Sequence, residues 1–193
     1  MSPSTIYLVT GSNRGLGLGF VSRILATHED AFVYAGAREP EKAAELKGLA
    51  EKYPGRISIV KCISADIEGN SALAKEIEKA HGRVDIVIAN AGIGILEGSV
   101  LEVSVAALEE HFRINVTGTI VLFQSVYNLL KKSTHPRFIP ISTSAAGFAS
   151  GVIELPFGSA AYGTTKAALN WATRKIHFEN DWLGVLPIES RPN

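Results

Sequence analysis

Short apolar runs alternate along this chain with stretches of helical period. Ile6–Val9 is an apolar run closing at Thr10-Gly11, and Ala31–Ala35 is a second; both read as strands buried on two faces. Arg56–Lys61, Val84–Ala89, Phe138–Ile141 and Val185–Ile188 repeat the pattern. Between them, Gly15–Thr27 places Leu16, Phe20, Ile24 and Leu25 at helical spacing. Pro40 opens a charged helix over 41–52, where its missing N–H does no harm. Ser71–Ala80 reads as helix, Ser104 is placed to N-cap a helix running to about Lys132, and Ser159–Asn180 forms a second long helix. Pro140 argues for a strand end or an irregularity within the fifth strand.

Such alternation gives parallel strands joined by right-handed crossovers, with helices on both faces. The expected fold is α/β: a doubly wound parallel sheet, or Rossmann fold, in three α/β/α layers, with residues 1–193 as a single domain. No linker or repeat interrupts it, and 193 residues suffice for one well-buried core. Nineteen Lys+Arg balance nineteen Asp+Glu, so the basic excess of a nucleic-acid binder is missing. No nucleic-acid partner is expected. One cysteine, Cys62, excludes an internal disulfide and a cysteine metal cluster. None of the five histidines pairs at metal-ligand spacing, so no metal is expected. The N-terminus lacks a basic region and a long apolar core, and the most apolar stretch, Ile114 to Leu130, is broken by Asn115, Thr117, Gln124, Ser125 and Asn128. The expectation is a cytoplasmic protein with no membrane partner.

The first strand ends in Thr10-Gly11-Ser12-Asn13-Arg14-Gly15-Leu16-Gly17, between a strand and a helix. Glycines there allow a tight turn and close approach to a pyrophosphate, and the helix N-terminus offers free N–H groups. It is not a Walker loop, because Leu16 is not followed by Lys-Ser/Thr, and it is not the GxGxxG form. TGxxxGxG in this place resembles the short-chain dehydrogenase/reductase family. Further similarities follow in order: Ala89-Asn90-Ala91-Gly92 after the fourth strand, Asn115-Val116-Thr117-Gly118 on the long helix, Ser142-Thr143-Ser144-Ala145-Ala146-Gly147 after the fifth strand, and Tyr162-Gly163-Thr164-Thr165-Lys166. Within that family the chain looks most similar to carbonyl reductases and fungal ketoreductases.

The resemblance implies a nicotinamide cofactor held by Gly11, Asn13, Arg14, Gly15, Leu16 and Gly17, with Asn90 and Gly92 at the carboxyl edge of the sheet, where open sheets bind ligands. NAD-preferring folds carry an acid at the end of the second strand. Here that position is Ala37, followed by Arg38. Arg38 and Arg14 offer forks to a 2′-phosphate, favouring NADP(H). Glu39, next in sequence, works against that choice. By resemblance Asp66 contacts the adenine with Ile67 nearby; a helix cap explains Asp66 equally well.

Tyr162 and Lys166, four apart, share one helix face. A neighbouring ammonium favours a phenolate, so the expectation is a tyrosine lowered toward working pH that exchanges a proton with a carbonyl oxygen as hydride arrives. The family implies that Lys166 also bonds the nicotinamide ribose. A serine hydroxyl should steady the carbonyl oxygen. Ser142 and Ser144 point the same way in an extended strand, and the SxxG spacing to Gly147 selects Ser144 by resemblance. Asn115 is a poor helix-interior residue. The family reading gives it a water linking Lys166 to a proton relay; the plain alternative is a helix kink.

Two departures stand out. Phe148, Val152, Ile153, Leu155 and Phe157 make the stretch between Ser144 and Tyr162 long and apolar, either a pocket wall for an apolar or aromatic carbonyl substrate or a surface excursion. The chain also stops at Asn193, soon after the sixth strand, so a C-terminally shortened protein is expected, without the family's last strand and substrate lid. Helices 104–132 and 159–180 are the family's pairing surface, which implies a homodimer or homotetramer. The expected function is an NADP(H)-dependent ketoreductase using Asn115, Ser144, Tyr162 and Lys166. The alternatives are a non-redox dehydratase, isomerase or cyclase on the same scaffold, or a non-catalytic nucleotide binder.

Overall fold

The computed structural model of the chain describes residues 5–94, 98–147, 154, 159–185 and 188–190. Six segments build one parallel sheet: β1 (Thr5–Thr10), β2 (Ala31–Ala37), β3 (Ile57–Lys61), β4 (Ile86–Ala89), β5 (Arg137–Thr143) and β6 (Gly184–Val185), in the order β3-β2-β1-β4-β5-β6. A further piece, β7 (Ile188–Ser190), also pairs with β5. The doubly wound α/β expectation is met. The strand order reverses between β1 and β4, which leaves a crevice at their carboxyl ends.

Alternation along the strands divides the core between the two faces. Ile6 and Leu8 of β1 face one cluster with Val87 and Phe138, against α3 (Ile67–His81) and α5 (Gly118–Leu130), through Leu73, Ile77, Leu122 and Val126. Tyr7 and Val9 face the other, against α1 (Gly15–Thr27) and α2 (Ala44–Lys52), through Val21, Ile24, Leu25 and Leu46. Each fully buried Leu or Ile contributes about 1.5–3 kcal/mol, so these two layers hold the strand ends in place.

Several boundaries differ from the sequence reading. Asp66 caps α3, so that helix starts at Ile67, four residues before Ser71. The charged segment after Pro40 is a short 3-10 turn, Pro40–Lys42, before α2 begins at Ala44. Ser104 does cap a helix, accepting from the Ala107 N–H at 3.1 Å, but α4 is only Val105–His111. A π-helical turn, Phe112–Thr117, joins it to α5. The expected single helix is therefore wound more loosely around Asn115, as π turns at functional sites often are.

Pro140 does not end β5; it lies inside the strand, paired in register with Ala89. Arg137 pairs with Gly184 and Ile141 with Ile188, so β6 and β7 share one offset of 47 residues along β5. They are two pieces of one strand position. β7 thus continues the sixth strand rather than adding a seventh place to the sheet. Among the described residues no helix is long and apolar enough to cross a membrane.

Candidate active site

A cleft of about 410 Å3 opens at the carboxyl ends of β1, β2 and β4. Its floor is the glycine turn. Gly11 and Gly15 have φ of 63° and 55°, the left-handed region that glycine enters without penalty. A Cβ on Gly17 would lie 2.3 Å from Gly11 O and 2.6 Å from Asn90 Nδ2, so only glycine fits there. Asn90 locks this turn: Nδ2 donates to Thr10 O at 3.0 Å and Gly11 O at 3.1 Å. Thr10 Oγ1 in return accepts the Asn90 and Ala91 N–H groups at 3.1 and 3.0 Å. Ser12 ties the turn to β2 through its N–H and hydroxyl, both donated to Gly36 O. The first turn of α1 has no side-chain cap and no acid, so its N–H groups remain available to an anion.

Asn13, Arg14, Gly15 and Leu16 line one side of the cleft together with Arg38. Glu39 is held elsewhere: it pairs with Lys42 Nζ at 2.7 Å, which lowers its carboxyl, and it is not part of the cleft wall. The opposite wall departs from expectation. Cys62, Ile63 and Ser64 form it, while Asp66 and Ile67 stand outside. Asp66 Oδ1 accepts the Gly69 N–H at 2.9 Å as the cap of α3, and Ile67 is 68% exposed. The chain turns sharply at Ala65, with φ of 62°, which carries the two residues after it off the wall. Arg113 and Ile114 of the π turn close the wall, and sequence reasoning had passed over them although they adjoin Asn115. Cys62 packs against the core and also borders the cleft. Its thiol donates to Asn70 Oδ1 at 3.2 Å, and burial pushes it up to about 12.

Beside Gly92 and Ile93 of the cleft stand the side chains of Asn115, Tyr162 and Lys166, the candidates for acid–base chemistry. Asn115 is 1% exposed and fully bonded. Its Oδ1 accepts the Ile93 N–H at 2.8 Å, and Nδ2 donates to Ile93 O at 2.9 Å and Thr165 Oγ1 at 3.1 Å. The side chain thus clamps the segment after β4 to α6 (Ala160–Glu179). Gly92 makes the close approach possible: a Cβ there would lie 3.1 Å from Asn115 Oδ1 and 3.8 Å from Lys166 Nζ. Gly94 plays the same part for Tyr162, whose Cε2 would be 3.2 Å from a Cβ at that position. Gly94 and Thr165 carry no sequence signal beyond lying beside the motifs.

Lys166 is buried and donates to Ile141 O at 2.6 Å. Burial lowers its ammonium to about 8. The Tyr162 phenol behaves differently from expectation. Burial pushes it up, and a hydrogen bond with the Thr143 side chain offsets part of that rise. Lys166 Nζ is turned to the Ile141 carbonyl and sits 5.7 Å from the centroid of the Tyr162 ring. The two serines separate clearly. Ser142 is 1% exposed and donates to Asn170 Oδ1 at 2.6 Å. Ser144 is half-buried and opens a short 3-10 turn, Ser144–Ala146, against α6. Phe148, Val152, Ile153, Leu155 and Phe157 lie outside the described residues. Among the described residues no cluster of His, Cys, Asp and Glu could hold a metal.

The chain matches the short chain dehydrogenase family model over residues 5–186. It is 34% identical over 187 residues to an uncharacterized oxidoreductase of Schizosaccharomyces pombe, spanning 97% of this chain and 72% of that protein. It is 31% identical over 194 residues to the norsolorinic acid ketoreductase of Dothistroma septosporum, with the same coverage of 97% and 72%. Among solved structures, the NADPH-bound carbonyl reductase from chicken fatty liver superposes with a TM-score of 0.91 at 27% identity, over 96% of this chain and 79% of that one.

Proposed function

This chain belongs to the short-chain dehydrogenase family of oxidoreductases, and from that premise we propose that it is an NADP(H)-dependent ketoreductase interconverting a carbonyl and a secondary alcohol. The observation that carries the reading is the convergence of Tyr162, Lys166 and Asn115 around Gly92 and Gly94, beside the glycine-turn cleft.

The residues present fit such a cofactor. A Cβ on Gly11 or Gly17 would strike the turn's own neighbours, and Gly15 has open space around it, so the glycines keep the turn tight beside the open N-terminus of α1. Arg14 and Arg38 line the cleft without a competing acid, because Glu39 is taken by Lys42. This supports NADP(H) over NAD(H). The NADPH of the chicken carbonyl reductase is consistent with it. Ile63 and Ser64 would flank the far end of the cofactor, and Gly92 and Lys166 the near end. When bound, the cofactor supplies a hydride to the carbonyl carbon, or takes one from the alcohol.

The chain's own residues manage the proton. Tyr162, held near-neutral by burial, gives its phenol proton to the carbonyl oxygen as negative charge develops there. The Ser144 hydroxyl, on an accessible turn beside Thr143, steadies that oxygen. Lys166, able to gain or lose a proton near pH 8, returns a proton toward Tyr162. Asn115 holds the wall in place: both of its amide donors are engaged with protein partners, so its role here is to fix Ile93 and Thr165 around Lys166.

A second copy of the chain is the proposed partner. Val105 and Phe112, along the helix that begins at Ser104, and Trp171 and Phe178 of α6 are exposed large apolar groups on elements that pack together.

The test is NADPH with a panel of aromatic ketones and quinones, following absorbance together with product mass. Cofactor oxidation matched by alcohol supports the proposal. Product without cofactor consumption points to the non-redox reading, and binding without turnover to a nucleotide binder. Tyr162→Phe should abolish reduction while NADPH binding persists; unchanged turnover refutes the assignment.

A further inference from the structure

Three side chains of α6 meet the end of β5 at intervals of four residues. Tyr162 bonds the Thr143 side chain, Lys166 bonds Ile141 O, and Asn170 Oδ1 accepts from Ser142 Oγ at 2.6 Å. Residues spaced by four lie along one stripe of a helix, so the three contacts tie one face of α6 to residues 141–143 of β5 in a single seam. The first two belong to the acid–base site. The third has no part in it, and Asn170 lies outside the Tyr162–Lys166 motif.

We propose that Asn170, acting through Ser142, is a positioning residue that fixes the end of β5 against α6 and so sets Ser144 relative to Tyr162. Ser142 is buried, and Ser144 follows two residues later, where β5 gives way to the 3-10 turn. The turn has its own closing bond, Gly147 N–H to Ser144 O at 3.0 Å, so it moves with the strand end as a unit. Because Ser142 donates, the Asn170 carbonyl must face β5, which fixes the orientation of that amide. A hydroxyl that steadies an oxyanion acts only within a narrow distance range, and small misplacements of catalytic groups reduce turnover sharply. The rung lies one helical turn beyond Lys166 and outside the cofactor cleft, so it tunes turnover rather than cofactor capture.

The inference rests on the reductase reading, and the two are tested separately. Wild type with NADPH and the ketone and quinone panel tests the reading. With the carbonyl that wild type reduces fastest, Ser142→Ala and Asn170→Ala should each lower kcat about tenfold. NADPH affinity should stay within about twofold, and the double variant should be no slower than either single, since both remove the same rung. Asn170→Asp keeps an acceptor for Ser142 and should recover kcat to within about threefold of wild type. Additive losses, a fall in NADPH affinity in step with kcat, or Asn170→Asp behaving like Asn170→Ala would each overturn the proposal. So would a lowered melting temperature with kcat intact. If wild type reduces nothing, the reductase reading fails while the seam is still judged by NMR titration of Lys166 in protein carrying 13C-labelled lysine. Equal shifts in Ser142→Ala, Asn170→Ala and the double variant support one shared rung; three different shifts overturn it.

Discussion

Lys166 Nζ lies 2.6 Å from the carbonyl oxygen of Ile141, a bond from the second turn of α6 to the end of β5 that runs beneath the ring of Tyr162. Burial there lowers the ammonium to about 8, against an ordinary lysine value of about 10.4.

Two pH dependences follow from that shift. Reduction needs a protonated Lys166 to return a proton toward Tyr162, so kcat/KM for carbonyl reduction should fall as pH rises past about 8. Stability moves the opposite way. Below pH 8 both folded and unfolded chains hold this proton, and the full penalty of burying the charge, about 3 kcal/mol, is in force. Between there and about 10.4 the unfolded chain holds the proton and the folded chain does not, so this contribution to stability rises with pH. Lys166→Met should lose activity and flatten that rise in a comparison of urea unfolding at pH 7.5 and 9.5. An unchanged slope would show that Lys166 titrates as an ordinary lysine.

Gly17→Ala should break the cofactor turn. Its Cβ would stand 2.3 Å from Gly11 O, where only a backbone shift relieves the clash. NADPH affinity, read by fluorescence, should fall by more than about tenfold, because the helix N–H groups leave their alignment. Gly19→Ala, on the same helix with open space around it, is the control; there the exchange should stabilise by about 0.5–1 kcal/mol. Equal effects of the two would remove the steric argument.

Arg38→Ala should weaken NADPH by about 10- to 100-fold and leave NADH nearly unchanged, the range expected for losing charge-assisted hydrogen bonds to a 2′-phosphate. Isothermal titration with both nucleotides separates the outcomes. An equal loss for the two would mean that Arg38 serves the shared part of the cofactor.

Asp66→Ala should cost about 1 kcal/mol of stability through the lost cap, with NADPH affinity within about twofold of wild type. Asp66→Asn should restore the stability, since its amide oxygen can still accept from Gly69. A large loss of NADPH affinity in either variant would return Asp66 to the adenine site.

Much of this molecule was legible along the chain because its signals are local. The run Ile6–Val9 followed by glycines fixes a strand, a tight turn and a helix start, whatever surrounds them. Tyr162 and Lys166 share a helix face by spacing alone. What the sequence left open depends on contacts across the sheet. Ser142 and Ser144 have the same spacing rules, and only the partner Asn170, on another element, distinguishes the buried hydroxyl from the accessible one. Asp66 could read as ligand contact or cap until the turn at Ala65 carried it off the cleft wall. The Tyr162 phenol rises rather than falls because burial, a property of the packed fold, raises it more than its bond to Thr143 lowers it. Periodicity and turn chemistry reside in neighbours along the chain, and the sequence alone determines them; burial, hydrogen-bond partners and the direction of a long side chain reside in neighbours through space, and the tertiary structure alone decides them.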